Sequence, residues 1–179
     1  MNEKRSDSWI PEIVLEGTHW KKLDESSRLW VYVADRLLSE EECQGTAAML
    51  ESFTRDWASH GSDLNASWKL QGARVVVIAL DESKKGASGC SIDASVRCMQ
   101  QAGEIGGASI DWLRRDCVLY RNAGDLGWSE AQLAAFWMAR KAGKVTDNTE
   151  VLNTLCTNKG EWEAGYSQPF RSSWHKGMW

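Results

Sequence analysis

The sequence has little of what marks a membrane, secreted or nucleic-acid-binding protein. Its apolar stretches, such as residues 75–80, fall far short of the roughly 18 residues that span a membrane. Its first residues, MNEKRSDSW, contain no apolar segment of the secretory kind. No run of Lys and Arg exceeds two residues and the formal net charge is -4, so no basic face for phosphates is expected. We therefore expect a soluble, cytoplasmic protein that binds neither membranes nor nucleic acids.

The chain also lacks the spacings that identify common metal and redox motifs. Its five cysteines are widely spaced and include no Cys-x-x-Cys pair, which excludes a zinc knuckle and a thioredoxin motif. Reduced thiols in a reducing compartment fit this pattern best. No two of His19, His60 and His175 have the i, i+4 spacing that would make a metal site with Asp81 convincing. We expect neither a metal nor a cofactor.

Tryptophan, by contrast, is abundant. The chain contains 11 tryptophans, scattered along its whole length. Because an indole buries a large apolar area, this distribution favours tryptophans that fill the core and its edges. The alternative is an aromatic binding groove.

Four segments have the composition of β-strands. Residues 29–33 are β-branched and aromatic, and residues 64–70 alternate between apolar and polar side chains, as in a half-buried strand. Residues 74–80 form the most apolar segment and are predicted to be the central strand. Gly72 separates the second segment from the third, which predicts a hairpin. Residues 117–120 predict a fourth, short strand.

Two helices are predicted between these strands. Ser39 and Glu42 form a capping box, in which each side chain satisfies a backbone N–H group of the other. The helix that starts there has apolar residues at helical spacing for about 20 residues and is predicted to end at Gly61. A polar loop then leads to a second helix, which is predicted to begin near Cys90 or Ser91.

The order strand, helix, strand, strand, helix, strand matches the β-α-β-β-α-β unit. With right-handed crossovers it gives a ferredoxin-like α+β sandwich, in which both helices cover one face of an antiparallel sheet. We assign this core to residues 27–122, after an N-terminal arm at residues 1–26. Residues 123–179 are predicted to form a small α/β appendix, with a helix capped by Ser129 and a later short strand.

The predicted topology brings two distant segments to one end of the sheet. The first helix ends near His60, the third strand ends near Asp81, and the second helix begins at that same end. The candidate residues of that helix start are Gly89, Cys90, Ser91 and Asp93. We therefore predict one candidate site, where the loops of residues 58–63 and 81–91 meet.

Two kinds of chemistry fit this helix start. The helix dipole and the free N–H groups stabilise a thiolate at Cys90, which becomes a nucleophile if His60 acts as its base and Asp81 orients the imidazole. Alternatively, the same N–H groups and Gly89 bind an anion such as phosphate or carboxylate. The candidate cations by sequence position are Lys84, Lys85 and Arg74.

Purely structural roles explain the same residues. Ser91 and Asp93 are of the types that cap a helix start. Cysteine is often a small packing residue, which would account for Cys90. A histidine after a helix, such as His60, is often a C-terminal cap. Structural roles are favoured over anion binding, and anion binding over thiol chemistry.

Four segments resemble signature segments of a family of small uncharacterised bacterial proteins, over roughly residues 22–179. They are WASH at 57–60, ASGCSID at 87–93, NTEVLN at 148–153 and WHK at 174–176. Members of that family have often carried the label "ABC transporter ATPase". A P-loop requires G-x-x-x-x-G-K-[ST], and the chain contains no such string. We therefore predict that it does not hydrolyse ATP through a P-loop, and the resemblance implies no other activity.

Binding or regulation is expected rather than catalysis. The expected partner is a small anionic ligand at the start of the second helix, or another protein. Residues 133–151 are also faintly similar to GYF-type modules, which implies an interaction role for the appendix. The alternative is a thiol-dependent enzyme that uses Cys90 with His60.

Overall fold

The structure is a computed structural model that describes residues 8–107 and 109–178. In this part the chain forms a mixed α+β fold with two four-stranded antiparallel sheets and four α-helices. Within the described residues, no helix has the length and apolar character needed to cross a membrane.

The first sheet has the strand of residues 75–81 in its interior. The first six strands of the chain are β1 (Val14–Glu16), β2 (Arg28–Val33), β3 (Ala58–Ser59), β4 (Ser62–Asp63), β5 (Asn65–Gln71) and β6 (Val75–Asp81). Four of them form this sheet, and β3 and β4 form a separate short hairpin. The spatial order in the sheet is β1-β5-β6-β2, and all neighbours are antiparallel. The predicted central strand and the predicted hairpin at Gly72 are both confirmed. Residues 75–80 are fully buried, because both faces of β6 are covered.

Two helices, α1 (Glu40–Asp56) and α2 (Gly89–Ala102), pack against one face of this sheet. The capping box of α1 is confirmed: Glu42 N–H donates to the Ser39 hydroxyl at 3.2 Å, and Ser39 N–H donates to the Glu42 carboxylate at 2.8 Å. α1 ends at Asp56 and not at Gly61. The chain turns instead into the β3–β4 hairpin, whose tip holds His60 and Gly61 at φ 50° and 75°.

A second sheet covers the other face. It consists of β7 (Cys117–Arg121), β8 (Ser129–Gln132), β9 (Glu150–Leu152) and β10 (Ser167–Pro169), in the spatial order β10-β9-β7-β8. Two further helices are α3 (Leu133–Lys141) and α4 (Lys159–Ala164). On this sheet, Leu119 and Leu152 pack with the first sheet, whereas Val118 and Val151 pack with Phe136 of α3. The layers are therefore helices, sheet, sheet and helix.

The strand order differs from the predicted ferredoxin-like order. That order places residues 117–120 beside β2, but β7 lies in the second sheet, and β1 of the N-terminal arm adds to the opposite edge of the first. β7 gains two antiparallel neighbours there, β8 and β9, whereas the edge of β2 offers one. The prediction was wrong for this strand, although β2, β6 and β5 are ordered as predicted.

The start of the predicted helix at Ser129 was also wrong. Residues Ser129–Gln132 form β8, which pairs with β7, and α3 begins only at Leu133. Residues 117–121, assigned above to the core, therefore share a sheet with part of the appendix. The division into an arm, a core of residues 27–122 and an appendix stays a prediction.

The tryptophans belong mainly to the core, as predicted. None of those in the described residues is exposed. The buried ones are Trp9, Trp20, Trp57, Trp68, Trp112, Trp128 and Trp162. The half-buried ones are Trp30, Trp137 and Trp174.

Candidate functional site

The start of α2 is a well-capped helix terminus. The Ser88 hydroxyl accepts from the N–H of Ser91 at 3.2 Å, and the Ser91 hydroxyl accepts from the N–H of Ser88 at 2.6 Å. The cap is therefore Ser88, and the helix begins earlier than the predicted Cys90 or Ser91. Ser91 is buried and serves the helix itself, whereas Gly89 and Asp93 are exposed.

The two loops that were predicted to meet lie at the same end of the first sheet. Asn65 pairs with Asp81, which places the end of β6 beside the β3–β4 hairpin that precedes β5. β3 contacts α2, and the indole N–H of Trp57 donates to the carbonyl of Ser91 at 2.9 Å. These contacts bring the two segments to one end of the sheet, and the prediction that they form a site there stays a prediction.

No hydrogen bond in the described structure joins Cys90, His60 and Asp81, the three residues predicted to act together in thiol chemistry. Cys90 and His60 are exposed, and neither side chain makes a hydrogen bond or an ion pair within the described residues. The Asp81 carboxylate accepts from the N–H of Ser83 at 2.9 Å and from the Asn65 amide at 3.1 Å. The hydrogen bonds from Ser83 hold the pKa of Asp81 below its usual value. Asp81 thus closes a turn, and a contact between His60 and Cys90 stays a prediction.

Of the candidate cations, only the two lysines lie near this helix start. Lys84 is exposed and Lys85 half-buried on the loop before α2. Arg74 precedes β6 and so lies at the far end of that strand from Asp81. Its buried guanidinium donates to the carbonyl of Ala34 at 3.1 Å and forms an ion pair with Glu130. The prediction that Arg74 serves an anion at the start of α2 was wrong.

The histidines occupy different environments. His175 is buried against Phe136, at 5.5 Å between ring centroids, whereas His19 and His60 are exposed. Among the residues with described positions, no group of three or more His, Cys, Asp or Glu side chains is placed to hold a metal ion.

A cavity that the sequence did not indicate lies along the outer edge of β2, where the first sheet meets the second. Its volume is about 240 Å³. We call it the edge cavity. Its lining residues are Val31, Tyr32, Val33, Trp112, Leu113, Arg114, Arg115, Cys117, Val118, Leu119, Leu152, Thr154, Leu155, Trp174 and His175.

Three of these lining side chains carry a buried nitrogen without a hydrogen-bond partner in the described structure. The atoms are Nε1 of Trp112, Nε1 of Trp174 and Nδ1 of His175. Most buried polar side-chain atoms in native proteins bond to protein or to ordered water. Leaving one unpaired costs about 1–3 kcal/mol. All three atoms therefore belong to residues that line one cavity, although each atom is itself shielded from solvent.

The charges around the edge cavity are unevenly compensated. Burial lowers the pKa of His175 to about 4, so this imidazole is neutral at pH 7 and offers one donor and one acceptor. Arg114 is paired with Asp116. Arg115 is exposed and makes no ion pair within the described residues. The cavity thus combines apolar walls, neutral hydrogen-bonding groups and one available cation.

A larger groove of about 570 Å³ lies between the N-terminal arm and the start of α1. Its walls are mainly aliphatic, and include Ile10, Ile13, Leu37 and Leu38. Such a surface buries apolar groups but offers few polar atoms that would orient a particular ligand. The edge cavity combines apolar walls with polar side chains and is therefore the better candidate for a ligand site.

One segment singled out in the sequence contributes residues to the edge cavity, but it did not indicate that a cavity exists. The WHK segment at residues 174–176 contains Trp174 and His175, but nothing in the sequence places them beside Trp112. The proximity of these two residues to Trp112 depends on the second sheet, which the sequence pattern did not predict.

No family model, no curated protein and no solved structure matches this chain. The resemblance to a bacterial family, drawn from short segments, stays a prediction.

Proposed function

We propose that this protein is a binding protein that holds a small ligand in the edge cavity. The observation that carries the proposal is a cavity with apolar walls whose lining residues include Trp112, Trp174 and His175, each with a buried ring nitrogen that has no hydrogen-bond partner in the described structure. These nitrogens are shielded from solvent, so a ligand would pair them by a small rearrangement of the wall, while its apolar part would cover Val31, Val118 and Leu152.

The side chains of the cavity favour binding over catalysis. Its one thiol, Cys117, is half-buried, and burial raises the pKa of that thiol. A thiol of raised pKa is protonated at neutral pH and is a poor nucleophile. His175 is neutral and enclosed by aromatic rings, stacked on Trp174 at 3.9 Å. A base in that position serves hydrogen bonding better than proton transfer with solvent.

A thermal-shift screen of chemically diverse small molecules tests the proposal. Thr154 lines the edge cavity and is half-buried, so Thr154→Trp fills the space. Leu126 is fully exposed and outside the cavity lining, so Leu126→Trp adds the same side chain without filling it. Compounds that stabilise the wild-type protein are expected to stabilise Leu126→Trp equally and to have no effect on Thr154→Trp. Hits that stabilise both variants alike would place the binding elsewhere.

The start of α2 is a second candidate, for anion binding. A side chain at Gly89 would meet nothing within 4 Å, and the Ser88–Ser91 capping box leaves the N–H groups of Gly89 and Cys90 without a role in the cap. An amide NMR titration with inorganic phosphate tests it. Millimolar phosphate should shift the Gly89 and Cys90 signals, and unchanged signals would remove this candidate.

A further inference from the structure

We infer that the ligand of the edge cavity is an extended acidic peptide segment, which pairs its backbone with the outer edge of β2. The inference rests on the proposed function, because it names the ligand class of the same cavity. It follows from which backbone groups of β2 face away from β6.

Two hydrogen bonds fix the orientation of the β2 backbone. Leu29 N–H points outward and donates to the carbonyl of Thr157 at 3.0 Å, whereas Ala34 N–H points inward to the carbonyl of Arg74 at 2.9 Å. In an antiparallel pair, successive residues alternate between bonding the neighbour strand and facing away from it. The N–H and C=O groups of Val31 and Val33 therefore face outward, as those of Leu29 do.

The chain itself covers only the beginning of this edge. Arg28 forms a bridge with Asn158, and Leu29 bonds Thr157. Beyond that point, the outward groups of Val31 and Val33 have no hydrogen-bond partner among the described residues. Both residues line the edge cavity, and Val33 is only 6% exposed. Val31 is half-buried, and unpaired backbone groups with so little access to water gain from a hydrogen-bond partner.

An extended peptide satisfies this arrangement better than a compact molecule. A strand edge presents alternating donors and acceptors at the spacing of another strand, which is how added strands are recognised. The distance from Val31 to Val33 is about 7 Å along a strand, so the paired stretch is only a few residues long.

The charge of the peptide follows from Arg115. It is the lining cation that lacks an ion pair among the described residues, since Arg114 is held by Asp116. The guanidinium recognises carboxylates through paired hydrogen bonds. An acidic side chain on the bound segment would therefore meet a compensating charge, whereas a basic one would be repelled.

Amide hydrogen exchange with defined peptide pools tests the inference. The probe is a pool of acetylated and amidated pentapeptides, each with one central glutamate and randomised apolar or hydroxyl residues around it. Saturating amounts are expected to slow exchange at the Val31 and Val33 amides at least tenfold. The amides of Trp30 and Tyr32 already bond β6 and serve as internal controls. A pool with N-methylated backbones should give no protection.

A second comparison tests whether the peptide must carry a negative charge. Replacing the central glutamate by glutamine in the pool should weaken binding to the wild-type protein. The variant Arg115→Gln should bind both pools at that weaker level. Equal protection by N-methylated peptides, or none at Val31 and Val33, would overturn the inference. If the peptides fail but screened small molecules bind the wild-type protein and not Thr154→Trp, the inference is overturned and the proposed function stands. If no compound and no peptide binds, the inference and the proposed function both fail.

Discussion

The buried guanidinium of Arg74, in the turn between β5 and β6, forms an ion pair with the carboxylate of Glu130 in β8. Arg74 is only 3% exposed and also donates to the carbonyl of Ala34. Because Glu130 belongs to the second sheet, this ion pair links the two sheets directly. The edge cavity lies at the same junction, and Cys117 contacts both the cavity and the guanidinium.

The first prediction concerns this link. Arg74→Met should cost about 1–3 kcal/mol of unfolding free energy, because it leaves the carbonyl groups of Ala34 and Asp35 without their donor. Glu130→Gln should also cost about 1–3 kcal/mol, because it leaves the buried guanidinium without its carboxylate but keeps a hydrogen-bond acceptor beside it. Urea unfolding with an unchanged m-value gives both numbers. The exposed pair Arg55 and Asp56 supplies a control, since Arg55→Met should leave the unfolding free energy nearly unchanged. A similar small cost for all three variants would show that the pair does not fasten the sheets.

The second prediction uses the capping box of α1. The hydrogen bonds from Arg36 lower the pKa of Glu42 to about 2. A carboxyl whose pKa is lowered on folding stabilises the protein above the pKa of the unfolded chain, about 4.3. That stabilisation is lost as the pH falls towards 2. Wild type should therefore exceed Glu42→Gln in stability at pH 7 by about 1–2 kcal/mol, and this difference should shrink between pH 4.5 and pH 2.5.

Glu41 provides a matched control, since it precedes Glu42, is exposed and lies in the same first turn. Glu41→Gln makes the same chemical change without touching the capping box. Its effect should stay within about 0.5 kcal/mol. If the two variants behaved alike at every pH, general helix-dipole effects and not the capping box would account for the stabilisation.

The local elements of this fold could be predicted from the sequence, and their assembly could not. The strand at residues 75–80, the turn at Gly72 and the Ser39–Glu42 capping box depend on neighbouring residues and were found. The position of β7 depends on competition between two sheets for one short strand. Val118 and Leu119 are both buried, so the strand shows no polar face that would indicate which layer covers it.

The second sheet was missed because β8 has an untypical composition. Its sequence is SEAQ, which lacks the β-branched and aromatic residues that indicate a strand. It is ordered by pairing with β7, a tertiary contact. The edge cavity was missed for the same reason, because Trp112 and His175 approach each other only once that sheet has formed. The start of α2 at Gly89 was predicted to within one or two residues, because the Ser88–Ser91 capping box that fixes it is local.

The third prediction concerns His175. Burial lowers the pKa of His175 to about 4, from an ordinary value near 6.5. The unfolded chain therefore binds a proton that the folded chain does not between those two pH values, so folding stability falls as the pH falls from 6.5 to 4. The contribution is at most about 3 kcal/mol. His175→Phe should remove this component, which denaturant unfolding across that pH range would detect. Parallel stability curves for wild type and His175→Phe would contradict the assignment of this pH dependence to His175.

The last prediction decides between a binding protein and a thiol-dependent enzyme at Cys90. Cys90 is exposed, Cys43, Cys98 and Cys156 are buried, and Cys117 is half-buried. Burial raises the pKa of both Cys98 and Cys156 to about 11, so these thiols are protonated and shielded at neutral pH. Iodoacetamide at pH 7 should therefore modify Cys90 first, as peptide mass spectrometry would show.

The rate at which iodoacetamide modifies Cys90 distinguishes a binding protein from a thiol-dependent enzyme. Because neither the Cys90 nor the His60 side chain makes a hydrogen bond in the described structure, we expect Cys90 to react no faster than a cysteine in a short unstructured peptide. His60→Gln should leave the rate unchanged, since no base is positioned on the thiol. A rate at least tenfold above the peptide reference, lost in His60→Gln, would instead reveal an activated thiolate. That result would establish the pairing of Cys90 with His60 and favour the enzyme over the binding protein.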